Sequence, residues 1–207
     1  MITTKDIRFS YPNLEFKFPD ISCNPSETLL ITGKSGTGKT TFLHILSGIL
    51  RPHSGSVKIG EIAIETLSDK KLDKFRGENI GLVLQQSHFI ASLSILENLV
   101  LTSWLSDKTK KIEKAKTLLK ELGLEDHMYK KASQLSIGQQ QRASIARALI
   151  NEPKVLLADE PTSSLDDENA QVVADLLSKL SHQYQAALII VTHDQRLKSI
   201  FPKVVEL

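Results

Sequence analysis

The chain has 207 residues, 41% hydrophobic and 24% charged, with 26 basic against 24 acidic side chains. That length and balance fit one globular domain with a substantial core, and exclude a disordered or fibrous chain. A net charge of +2 offers no strong field for nucleic acid, and one cysteine, Cys23, excludes an internal disulfide and a multi-cysteine metal site.

Residues 1–6 lack the apolar core of a signal peptide, and the longest apolar runs, such as 186–191, are far short of the roughly 18–20 residues that span a bilayer. The expectation is a cytoplasmic chain whose membrane association comes through a partner. Over 1–28, Ile7, Phe9, Tyr11, Leu14, Phe16 and Phe18 recur near period two, broken at Pro12-Asn13 and Pro19-Asp20. This predicts short antiparallel strands. Tyr11 is either an exposed aromatic or a strand residue packed on a neighbour.

An apolar run, Leu29-Leu30-Ile31, leads into Gly33-Lys34-Ser35-Gly36-Thr37-Gly38-Lys39-Thr40-Thr41 and then a helical pattern over 40–50. Strand, glycine-rich loop and helix form the context in which GxxxxGK[ST] binds phosphate. Glycines let the backbone approach a ligand, and the loop N–H groups with the helix N-terminus form a nest for anionic oxygens. Lys39 is placed for the β- and γ-phosphates, and the Thr40 hydroxyl for Mg²⁺. The chain is therefore expected to bind a nucleoside triphosphate.

Alternation over 56–64 predicts strands around Gly60; His44 and His53 read as structural or solvated. A buried strand is expected over 79–86, ending in Gln85 and Gln86, then helices over 94–105 and 110–122. Ile112, Ala115, Leu118, Leu119 and Leu122 share one face of the second, which Gly123 ends. A third helix opens at Leu135-Ser136-Ile137-Gly138-Gln139 and runs through Leu149, stopped before Pro153. Two unbroken apolar runs follow, 155–158 ending in Asp159-Glu160 and 187–192 ending in His193. Between them a helix over 167–180 places Val172, Val173, Leu176, Leu177 and Leu180 on one stripe. Such runs are parallel strands covered on both faces, joined by βαβ crossovers.

In a parallel sheet the ligand sits beyond the carboxyl ends of the strands. Three strands deliver polar groups there: the phosphate loop, Asp159-Glu160 and His193. Asp159 is placed to hold Mg²⁺, and Glu160 to accept a proton from attacking water or orient it.

These motifs together resemble an ATP-binding-cassette (ABC) ATPase over nearly the whole chain. Leu135 to Arg142 is similar to the family's signature motif, with Ile137 where glycine is usual; Ser163-Ser164-Leu165-Asp166 is similar to the D-loop. The resemblance implies that Gln85 is the Q-loop glutamine, acting in catalysis and at the metal, His193 the switch histidine, and Tyr11 the adenine-stacking aromatic. It implies a P-loop NTPase α/β fold: a mainly parallel core sheet, an N-terminal antiparallel β subdomain, and a helical subdomain at about 87–134, all in one domain, 1–207. It further implies ATP and Mg²⁺ as cofactors and a head-to-tail homodimer in which Ser136, Gly138, Gln139 and Asp166 meet nucleotide held by the other copy.

The leading expectation is the energy-supplying subunit of a transporter with a separate integral-membrane permease, peripheral on the inner face of the cell membrane. Its pattern over 80–101 looks most like the lipoprotein-releasing and macrolide-export type, which favours export. Phe89, Ile90 and Leu96 are candidate permease contacts or core. The competing class, ABC ATPases acting on DNA or ribosomes, carries long coiled coils, cysteine-rich zinc insertions or two cassettes per chain. Here Ser136 lies 97 positions after Lys39 without sustained heptads, and no nucleic-acid partner is expected.

Overall fold

The computed structural model describes residues 1–12 and 14–207, so Asn13 of the expected Pro12-Asn13 turn lies outside the described residues. In chain order the first half contains β1 (Ile2–Tyr11), β2 (Leu14–Lys17), β3 (Ser22–Cys23), β4 (Thr28–Thr32), α1 (Lys39–Leu46), β5 (Ser54–Ile59), β6 (Ile62–Ala63), α2 (Asp69–Asn79) and β7 (Ile80–Val83). The second half contains α3 (Ile95–Asp107), α4 (Ile112–Glu121), α5 (Ile137–Leu149), β8 (Val155–Asp159), α6 (Asp167–Gln183), β9 (Ala187–Thr192) and β10 (Val204–Glu206).

The strands form two sheets. One is antiparallel, ordered β2-β1-β5-β6 with β3 also on β1; the other is parallel, ordered β10-β4-β9-β8-β7. The parallel strands are apolar throughout because both faces are covered. Leu30, Leu156, Ala158, Leu188 and Ile190 pack toward α3, α4, α5 and α6. Their alternate neighbours Leu29, Ile31, Leu157, Ile189 and Val191 pack with α1 and the antiparallel sheet. Because side chains alternate along a strand, one apolar run serves two cores.

Several expectations need correction. The helix expected over 40–50 ends at Leu46: Gly48 turns left-handed at φ 69, and His44 O accepts the N–H groups of both Ile49 and Leu50. Glycine after a helix end permits this reversal. The strand expected over 79–86 stops at Val83. Val172 is exposed, as is Ile112; on α6 the expected Val173, Leu177 and Leu180 are buried together with Ala170, Ala174 and Ser181, and Leu176 is half-buried. Leu96 belongs to the core, so of the candidate contacts only Ile90 stands exposed. Two elements went unread. α2 is strongly polar, with only Leu72, Phe75 and Asn79 buried, and β10 is three residues long.

Candidate active site

The parallel sheet brings the ends of β4, β8 and β9 into register, pairing Thr32 with Thr192 and Asp159 with Val191. The loop after β4 is held close. A Cβ on Gly33 would stand 2.7 Å from both Thr37 Oγ1 and Leu207 O. Gly38, at φ 93, lies against Phe16, whose ring would be 2.7 Å from any Cβ there. Lys39 opens α1, and its Nζ donates to Gly33 O and Lys34 O, each at 2.9 Å. Lys34 O also accepts from Thr37 Oγ1 at 3.0 Å. The N-cap Gly38 has no side chain to cap α1, so the first N–H groups of the helix face the loop's concavity. A cleft of about 650 Å³ opens there, lined by Phe16, Ser35, Gly36, Gly38, Lys39, Thr40, Thr41, Gln85, Glu160 and His193.

Asp159 ends β8 only 7% exposed, and its Oδ1 has no hydrogen-bond partner among the described residues. Burial pushes its carboxyl up; a hydrogen bond with Thr40 opposes this, and the nearby Glu160 charge adds to it. An orphaned carboxylate oxygen beside a threonine hydroxyl is a hard oxygen pair suited to Mg²⁺. The described residues contain no group of three or more His, Cys, Asp or Glu that could hold a metal. A cation here would therefore draw most of its remaining ligands from a phosphate and water.

Glu160 sits at φ 47, a left-handed conformation unfavourable for a non-glycine residue. Its backbone N–H donates to Val191 O at 2.8 Å. Its carboxylate accepts from Thr192 Oγ1 at 2.7 Å and from the His193 N–H at 3.1 Å, and lies 2.7 Å from His193 Nδ1. At this distance the Nδ1–H tautomer of the ring donates to the Glu160 carboxylate. Gln85 Nε2 donates to Ser163 Oγ at 3.4 Å, and that hydroxyl donates to Glu160 O at 3.1 Å. Carboxylate, imidazole, amide and ammonium thus converge on one cleft, a set able to bind a phosphate chain and direct water at it.

Other expected site residues stand apart from this cleft. Ser136 caps α5, accepting from the Gln139 N–H at 3.3 Å while its own N–H donates to Gln139 Oε1 at 3.0 Å. Gly138 is helical, and a Cβ there would meet nothing nearer than Asn169 Oδ1 at 3.6 Å. Asp166 caps α6, accepting from the Asn169 N–H at 2.8 Å. Tyr11 is 46% exposed, with its ring edge-on to Phe9 and Phe16. Phe16 was read only as a strand residue, yet its ring walls the cleft. The signal available was its place among the alternating aromatics two residues before Phe18.

Comparison with known proteins decides the family. Residues 16–163 match the family described as ABC transporter. The chain belongs to the ABC transporter family. It is 39% identical to the lipoprotein-releasing system ATP-binding protein LolD of Buchnera aphidicola, over 96% of this chain and 87% of the relative. The LolD of Syntrophus aciditrophicus is 42% identical, over 86% of this chain and 81% of its own. A dimeric ATP-binding cassette, solved in a post-hydrolysis state with ADP and Pi, superposes with a TM-score of 0.86 at 32% identity, covering 100% of this chain and 94% of the other. The expected P-loop α/β fold is therefore that of an ABC cassette, and the chain is an ABC ATPase that binds and hydrolyses ATP to power transport. Among the described residues no helix of this ABC ATPase is long and apolar enough to cross a membrane.

Proposed function

We propose that this ABC ATPase works as a head-to-tail homodimer, binding ATP with Mg²⁺ at each joint and driving export through a separate integral-membrane permease of the lipoprotein-releasing kind. The observation that carries this reading is a division of the machinery. The cleft of one chain gathers the phosphate loop, Gln85, Glu160 and His193, while Ser136 and Gly138 lie exposed or half-exposed outside it. Gly138 supports it further: it is the second residue of α5, and among the described residues a Cβ there would meet only Asn169, no nearer than 3.6 Å. Close approach by a second copy gives the glycine a purpose.

Within each joint the residues divide the work. Gly33, Lys34, Ser35, Gly36, Thr37 and Gly38 wrap the phosphates with backbone N–H groups, Thr41 lines the cleft beside them, and Lys39 neutralises charge on the γ-phosphate. Tyr11 stacks on the base. Thr40, Asp159 and Gln85 would hold the metal, which would supply electrostatic stabilisation of the phosphate oxygens. Glu160 leaves its hydrogen bonds with Thr192 and His193 to orient water and take its proton, and the freed His193 ring contacts the γ-phosphate. Ser136, Gly138, Gln139 and Asp166 of the opposing copy complete the site.

The permease contact lies over a second cleft of about 470 Å³ between α2, α3 and α5, where Ile49, Leu82, Leu105 and Arg147 form walls. Exposed Ile49 and Leu105 there, and Ile90 in the preceding segment, supply the apolar surface for such a contact. Docking there holds the ATPase at the inner face of the membrane.

Glu160→Gln tests the dimer. The variant is expected to retain ATP binding, lose turnover by about 100-fold or more, and elute as a dimer with ATP. Undiminished steady-state hydrolysis would remove Glu160 from its role. For the transport half, a tagged chain pulled from detergent-solubilised membranes should bring a multi-helix membrane protein at near-equal stoichiometry. Recovery with ribosomal or DNA-associated proteins instead would refute it.

A further inference from the structure

Behind the cleft lies a cluster that none of the roles above uses. It joins the turn after β8 to the turn after β9. Thr162 Oγ1 donates to Asp194 Oδ2 at 2.8 Å. Arg196 Nε donates to Asp194 Oδ1 at 2.9 Å, and Nη2 to Oδ2 at 2.7 Å, a two-pronged grip. Its Nη1 pairs with Asp167, and Nη2 also reaches Thr162 O at 3.4 Å and Leu165 O at 3.5 Å. These bonds hold Asp194 down to about 2, with the hydrogen bond from Arg196 the largest cause.

Only a guanidinium makes this pattern. Its planar fork presents five N–H donors in fixed directions, whereas a lysine ammonium is a single compact point. One arm grips the residue next to His193; the others grip both flanks of Asp166, at Leu165 and Asp167. The side chain that faces the γ-phosphate and the one that faces the other copy are thereby attached to one rigid splint.

We propose that Arg196 is a positioning residue that makes the 162–167 turn and the His193 turn move as one body, so that contact with the opposing copy is transmitted to His193 and Glu160. This rests on the head-to-tail reading and adds the means by which the second copy switches the first. Arg196 does not line the cleft; it acts through Asp194 and the turn. Binding of ATP by the isolated chain should not depend on it, while hydrolysis by the dimer should.

The test compares the wild type with Arg196→Ala, Arg196→Lys and Asp167→Asn, measuring nucleotide affinity of the isolated chain, kcat, KM and the Hill coefficient for ATP. The wild type is measured first. If it shows neither an ATP-dependent dimer nor cooperative hydrolysis, the head-to-tail reading fails and this inference falls with it. Given a cooperative wild type, Arg196→Ala should lower kcat about tenfold, less than the roughly 100-fold that a misplacement of a catalytic group by about 1 Å can cost. It should bring the Hill coefficient near 1 while leaving isolated-chain affinity within about twofold. Arg196→Lys should restore less than half of the lost rate, and Asp167→Asn should lose less than Arg196→Ala. Unchanged kcat and Hill coefficient in Arg196→Ala would overturn the inference alone. So would full rescue by lysine, or a fall in isolated-chain affinity matching the fall in kcat. Should Arg196→Ala fail to fold, Asp167→Asn and Arg196→Lys decide by the same two readouts.

Discussion

Two helix beginnings in this molecule are built in opposite ways. α1 starts at Gly38, left-handed and with no capping side chain, so its first N–H groups stand open above the phosphate loop. α5 starts at Ser136, which forms a capping box with Gln139, while Gln139 Nε2 also lies 3.1 Å from His127 Nε2. Both ends carry the positive end of a helix dipole. The first leaves its donors for a ligand of the same chain. The second has its Ser136 and Gln139 N–H groups taken by the capping box, which stabilises that helix end without an anion. A phosphate reaching α5 meets a partly capped end, which suits a contact made only when a second copy arrives.

This contrast can be broken most severely at α1. Lys39→Ala removes the ammonium poised over the open N-terminus. ATP hydrolysis should fall by about 100-fold or more, with a clear loss of nucleotide affinity in equilibrium binding. At α5, Ser136→Arg should depress hydrolysis by at least about tenfold yet leave isolated-chain affinity within about twofold. A large loss of that affinity would erase the distinction between the two helix ends. A gentler change sharpens it: Ser136→Ala should cost about 1 kcal/mol in urea unfolding, the usual worth of a helix cap.

The smallest expected effect concerns carboxylates, which divide as the helices do. Asp159, buried with an orphaned oxygen, is pushed up, while Asp194, gripped by Arg196, is held at about 2. A carboxyl lowered in the folded chain stabilises it fully above the unfolded pKa of roughly 4 and ceases to as pH falls toward its folded value. Wild-type urea midpoints should therefore decline more steeply than those of Asp194→Asn between roughly pH 4 and pH 2. Parallel slopes would show that Asp194 contributes nothing to this window.

Much of the molecule was legible because its signals are local. The apolar runs at β4, β8 and β9 mark buried parallel strands by composition alone, and Gly33 to Thr41 carry loop chemistry in their spacing. α2 stayed hidden because nearly all of its residues are polar; three buried side chains hold it to the core. Val172 and Ile112 misled for the opposite reason. Their positions fit a helical stripe, but both side chains stand exposed: among the described residues no element covers them. Phe16 was visible as an aromatic, yet its place at the cleft wall depends on how β2 folds back over Gly38.

The sequence by itself determined the phosphate loop, the acids and histidine at strand ends and the order of the strands and helices other than α2 and β10, because each rests on short-range periodicity and backbone chemistry. Tertiary structure alone decided which groups meet. The pairings of Glu160 with His193 and of Arg196 with Asp167 join residues 33 and 29 positions apart, and their geometry depends on the parallel register of β8 with β9. Register is set by side chains packing on both faces of the sheet, and no local stretch of sequence carries that information.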